Sequence, residues 1–194
     1  MGNNLNIIQS TFTDGIALKQ KILADEAFVQ NILAVSEVCI EAFKRGNRVI
    51  LAGNGGSAAD AQHIAAEFVS RFMYDRPGLP SMSLSTDTSM LTAIGNDYGY
   101  DKLFLRQLEA NGRAGDVFIG ITTSGNSVNI LKALERCEEL GIISVALCGE
   151  GGRAKTVAKH ALAVPSTSTP RIQEQHITIG HIICEIVEAT IFPQ

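Results

Sequence analysis

Two pairs of side chains are spaced for chemistry. His63 and Glu67 stand four apart in a helical stretch, on one face and one turn apart. An imidazole and a carboxylate so placed can share a divalent metal or work as an acid–base pair. Gln173 and His181 stand eight apart, slightly over two turns, and also share a face. Each pair alone is a weak signal. A His–Glu pair on a helix surface is more often solvated than functional, and periodicity does not tell whether two helices meet. His176 falls on a different face from His181 and reads as structural. His160, ahead of the last strand, reads as exposed.

Two loops are built for an anion. Thr122-Thr123-Ser124-Gly125-Asn126-Ser127 follows an apolar run and opens a helical pattern, with four hydroxyls in six residues. Hydroxyls, a glycine turn and the free N–H groups of a helix N-terminus are what a phosphate needs when no lysine is present. An ordinary N-cap is the plainer reading of the same residues. Gly53-Asn54-Gly55-Gly56-Ser57 follows another apolar run. It is neither a dinucleotide fingerprint, since Ala58 stands where the third glycine belongs, nor a Walker loop, so nucleotide cofactors are disfavoured.

The elements that must carry these residues are an alternation. Residues 5–44 read as two helices with a break near Asp25, ended by Gly46-Asn47. Short apolar strands are expected at residues 48–52, 82–84, 116–121, 142–147 and 161–164. Helices are expected at 57–73, 87–95, 101–111, 127–140 and 171–191. This predicts an α/β fold: a three-layer αβα sandwich on a parallel sheet of about five strands, with an N-terminal helix pair and a long C-terminal helix. In such sheets ligands bind beyond the C-terminal strand ends, where both loops lie.

Bulk composition sets the limits. With 194 residues, 45% hydrophobic and 19% charged, the chain suits one domain with an aliphatic core. A net charge of −4, with no basic cluster, argues against a nucleic-acid partner. No apolar run nears the ~20 residues of a membrane span. Cys39, Cys137, Cys148 and Cys184 are scattered with no CxxC pair, which suits buried thiols in a reducing cytoplasm. No basic segment followed by an apolar run opens the chain, so no signal peptide is expected.

The motifs occur together in a known order. Gly53-Asn54-Gly55-Gly56-Ser57 with Asp60, His63 and Glu67 comes first, then Arg76-Pro77-Gly78-Leu79-Pro80 and Gly95-Asn96-Asp97-Tyr98-Gly99. Thr123-Ser124-Gly125-Asn126-Ser127, Arg171-Ile172-Gln173-Glu174 and His181 complete the series. Over nearly the whole chain this resembles the phosphoheptose isomerase family of sugar isomerase (SIS) domains. The resemblance implies one SIS domain over 1–194, with 1–45 as a helical extension. It implies conversion of sedoheptulose 7-phosphate to D-glycero-D-manno-heptose 7-phosphate, one zinc per subunit on His63, Glu67, Gln173 and His181, and a homotetramer. It makes Glu67 and His181 the acid–base residues. Implied substrate contacts are Asn54, Gly55, Gly56, Ser57, Glu67, Asn96, Asp97, Thr122, Thr123, Ser124, Ser127 and Gln173. Some relatives carry Ser at the position of Thr122, which preserves the hydroxyl. The rival readings are a non-catalytic SIS protein that binds a replication initiator and a sugar-phosphate sensor. The initiator-binding kind lacks the acid at the position of Glu67 and the His at that of His181, and this chain has both.

Overall fold

The computed structural model describes residues 2–194. Five strands form one sheet in the order β2-β1-β3-β4-β5, every neighbouring pair parallel. They are β1 (Val49–Gly53), β2 (Ser81–Ser83), β3 (Val117–Thr122), β4 (Ile143–Gly149) and β5 (His160–Val164). The helices are α1 (Gly2–Ala24), α2 (Glu26–Lys44), α3 (Gly56–Val69), α4 (Thr88–Tyr98), α5 (Leu103–Asn111), α6 (Val128–Arg136), α7 (Ala154–Val157) and α8 (Thr169–Ile191). The expected architecture is present.

Strand side chains alternate between two cores, as a pleat requires. Val49, Leu51, Val117, Ile119, Ile121, Val145 and Leu147 face one core, filled by α2, α3 and α8. Ile50, Ala52, Phe118, Ala146 and Cys148 face the other, filled by α5 and α6. A sheet covered on both faces explains why its strands read as continuous apolar runs. All four cysteines are buried and free, as expected. No helix among the described residues is long and apolar enough to cross a membrane.

Element ends moved for identifiable reasons. The break near Asp25 is an N-cap: its carboxylate accepts the Phe28 N–H at 3.0 Å, and α2 starts at Glu26. The helix expected to reach residue 73 stops at Val69, where the Arg76 guanidinium takes the carbonyls of Glu67, Phe68 and Ser70. The helix expected to reach 140 stops at Arg136, and Ile142 N–H then closes on the Cys137 carbonyl. His160 opens β5 and is only part-exposed, not free ahead of it. The one-turn α7 carries too few apolar residues to show a period.

The chain leaves β1 to form β2 on one side and then places β3 on the other. That makes the β1/β3 boundary the topological switch point, where a crevice opens beyond the strand ends. The Gly53–Ser57 loop follows β1 and the Thr122–Ser127 loop follows β3, so both border this crevice.

Candidate active site

The two distant stretches meet. Helices α3 and α8 pack side by side and run parallel: Gly56 meets Gln173, Ile64 meets Gly180, and Phe72 just past α3 meets Glu188. Close approach depends on two glycines. A Cβ on Gly56 would run into the Gln173 amide, and one on Gly180 would stand 2.5 Å from Cδ1 of Ile64. Because residues 173 and 181 both touch α3, they share a face, as their spacing predicts.

At the middle of this contact His63, Glu67 and His181 converge, with one potential ligand atom from each lying within 4.8 Å of the others. His63 Nε2 is 2.9 Å from His181 Nε2 and 3.2 Å from Glu67 Oε1. Donors on a tetrahedral zinc with ordinary bond lengths stand about 3.3 Å apart, so these separations match edges of such a site. Two imidazoles and one carboxylate are also a donor set zinc accepts. The residues therefore fit a metal. Asp60, one turn before His63, sharpens the point: its buried Oδ2 has no hydrogen-bond partner. Burial raises the Asp60 carboxyl above its ordinary range, against the pull of His63. The fourth expected ligand, Gln173, lies two turns earlier on α8 with its amide on Gly56. Its side chain makes no hydrogen bond with the trio among the described residues.

The hydroxyl loop is not an ordinary side-chain cap. Ser127 occupies the N-cap position of α6 but makes no side-chain cap bond. Its hydroxyl instead bonds Thr122 Oγ1 at 3.0 Å. The N-terminus of α6 is thus left without the serine oxygen an ordinary cap supplies, which favours an external anion. Gly125 turns the chain at φ 68°, and the Ser124 hydroxyl accepts the Asn126 N–H. Thr122 is buried at the end of β3, while Ser124 is exposed. In the glycine loop Asn54 is part-exposed, Gly55 and Gly56 are exposed, and Ser57 is buried in the first turn of α3. Asn96 and Asp97 sit exposed at the end of α4, bonded to each other at 2.7 Å.

Four contributors escaped the sequence. Asn129 is buried and exchanges two hydrogen bonds with Asn54, each 2.9 Å. Tyr100, on a 3-10 turn after α4, donates its hydroxyl to the same Asn54 oxygen at 2.9 Å. The Ser85 hydroxyl accepts the Gly53 N–H and donates to the Gly53 carbonyl. Glu188 accepts the Phe72 and Met73 N–H groups and pairs with Arg76 at 2.9 Å. No local pattern marks them; each is defined by a partner far away in the chain. His176 is wholly buried beside Cys148. Burial lowers its pKa to about 4.

Fold and site together define a sugar isomerase domain, and residues 12–149 match the SIS domain family. The chain is 61% identical over 186 residues to the phosphoheptose isomerase of Aneurinibacillus thermoaerophilus, covering 95% of this chain and 94% of that one. It is 60% identical over 191 residues to phosphoheptose isomerase 2 of Campylobacter jejuni, covering 97% and 95%. A solved structure, phosphoheptose isomerase GmhA from Neisseria gonorrhoeae, superposes with a TM-score of 0.89 at 39% identity, covering 95% of this chain and 98% of that one. The chain belongs to the phosphoheptose isomerase family.

Proposed function

We propose that the chain converts sedoheptulose 7-phosphate to D-glycero-D-manno-heptose 7-phosphate through an enediol, supplying heptose for lipopolysaccharide or capsule. The observation that carries this is the meeting of His63 and Glu67, on the helix that the glycine loop opens, with His181 of α8. A scaffold or a sensor has no need of that trio.

Ketose and aldose differ by one proton moved between adjacent carbons and one between their oxygens. Glu67 moves the carbon-bound proton, and His181 serves the two oxygens. Thr122, Thr123, Ser124 and Ser127, with the N-terminus of α6, hold the 7-phosphate, whose binding energy orients the reacting end. Asn54, Gly55, Gly56, Ser57, Asn96, Asp97 and Gln173 line the sugar chain. His63, Glu67 and His181, with Gln173 as fourth ligand, would hold one zinc, which supplies carbonyl polarisation and charge stabilisation.

The whole chain, 1–194, is taken as one SIS domain in which 1–45 forms a helical extension. Leu5, Ile8, Phe12, Ile16 and Leu23 form a single stripe along α1, every one more than half exposed. Such a stripe calls for a cover, and a homotetramer provides it; light scattering would then give four chains per particle. Buried free thiols suit a cytoplasmic location. The function is tested by incubating purified chain with sedoheptulose 7-phosphate and assaying bound metal. Turnover with about one zinc per chain is expected. A chain that binds the sugar phosphate without converting it refutes the reading in favour of a sensor.

A further inference from the structure

Around Asn54 the hydrogen bonds are closed so that its amide has one orientation. The Ile130 N–H donates to Asn129 Oδ1 at 2.9 Å, which identifies that atom as oxygen. Asn129 Nδ2 must then be the donor to Asn54, so the Asn54 atom it meets is Oδ1. That same oxygen accepts the Tyr100 hydroxyl at 2.9 Å. Both lone pairs of Asn54 Oδ1 are therefore in use. Of its two N–H groups one goes to Asn129 Oδ1, and one remains. Toward the crevice Asn54 can only donate, which suits the oxygens of a sugar phosphate.

Tyr100 completes this arrangement from outside. Its side chain is 63% exposed, so apolar burial does not explain its position. The 3-10 turn Tyr100–Lys102 follows α4, which carries Asn96 and Asp97 and has no buried residue. Polar attachments hold that turn to the glycine loop and to α6: Tyr100 bonds Asn54, and Asp101 pairs with Lys132. We infer that Tyr100 is a positioning residue of the substrate site. Its hydroxyl fixes the donor face of Asn54 and ties the segment bearing Asn96 and Asp97 to the glycine loop. This rests on the isomerase reading above.

Tyr100→Phe removes one oxygen and leaves the ring. In wild-type enzyme turning over sedoheptulose 7-phosphate, the substitution should raise KM about tenfold, the worth of one hydrogen bond. It should leave kcat within about twofold and the melting temperature unchanged. Inhibition by inorganic phosphate should also be unchanged, because the Thr122–Ser127 loop keeps its contacts. Tyr100→His, whose ring N–H can still donate, should recover part of the loss. An unchanged KM overturns the inference while leaving the isomerase intact. A raised KM accompanied by a lowered melting temperature and weakened phosphate inhibition also overturns it, since Tyr100 would then be merely structural. Absence of turnover in the wild type removes the reading itself, and this inference with it.

Discussion

The α3–α8 contact differs sharply at its two heights. Beyond the C-terminal end of α3, Arg76 and Glu188 form an ion pair with side chains only 2% and 1% exposed. Every oxygen of Glu188 is used, by Phe72, Met73 and Arg76, and the guanidinium also caps α3. Midway, the His63 and Glu67 side chains are 50% and 24% exposed, and their ligand atoms face one another. One height is satisfied and dry; the other is crowded with lone pairs and open to solvent. The first fixes the register of the two helices. The second uses that register, because a slip of one residue on either helix would turn His181 away from His63. Arg76 joins the two directly, since its Nη2 holds the Glu67 carbonyl at 2.8 Å.

This comparison breaks if the two heights respond alike to substitution. Glu67→Gln keeps the shape and removes the base. It should lower kcat by about 10²–10⁴ with the melting temperature unchanged, read by turnover and thermal unfolding on one sample. Glu188→Ala should do the reverse. It strands a buried guanidinium, for a loss of about 3–5 kcal/mol in urea unfolding, while the fraction still folded keeps most of its kcat, because the close contacts of Gly56 with Gln173 and of Gly180 with Ile64 still hold the register. A Glu188 variant with normal stability and lost turnover would place the pair in the chemistry.

The pair also predicts how the protein responds to acid. Burial pushes the Glu188 carboxyl up, but the Met73 and Phe72 N–H groups and then Arg76 outweigh it, so its pKa lies below the ordinary carboxylate range. A carboxylate depressed in the folded state contributes stability that is complete above its unfolded pKa and is lost as pH falls through the folded one. Chemical unfolding followed downward from pH 6 should show this loss in the wild type. The acid-dependent part should shrink in Glu188→Ala; an equally steep fall would mean that other carboxylates govern it.

Legibility in the sequence follows the same division. The sheet was readable because strands covered on both faces are apolar throughout, and the loops because glycine and hydroxyl residues cluster locally. His63 with Glu67, and Gln173 with His181, were readable as pairs because helical spacing is a local property. That the two pairs meet was not, since it depends on the parallel packing of α3 on α8 and on Gly180. Nothing local in the sequence marks Glu188, whose partners Phe72, Met73 and Arg76 all lie in the turn after α3. Asn129 sat in a helical pattern where nothing marks an amide paired across the switch point.

Gly180 probes the register more gently. Gly180→Ala places a methyl against Ile64, whose Cδ1 end can move. The cost should be about 1–3 kcal/mol, seen in urea unfolding. If the register matters as argued, metal affinity falls as well, because His181 is the next residue. Unchanged metal binding at reduced stability would show that the trio tolerates a shifted α8.

The smallest effect is expected at the hydroxyl loop. Ser127→Ala removes the partner of Thr122 without touching the trio. Alanine cannot cap α6, but Ser127 makes no side-chain cap bond, so helix stability has little to lose. What is lost is one hydroxyl presented to the phosphate and the bond that orients a second. KM for the sugar phosphate should rise about five- to tenfold, and inorganic phosphate should inhibit correspondingly less, with kcat almost constant. Tyr100→Phe shares the KM effect but not the loss of phosphate inhibition. The two variants together therefore divide the crevice into a part that grips the anion and a part that orients the sugar. Equal phosphate inhibition in wild type and Ser127→Ala would mean that the anion rests elsewhere, and the N-terminus of α6 would lose its role.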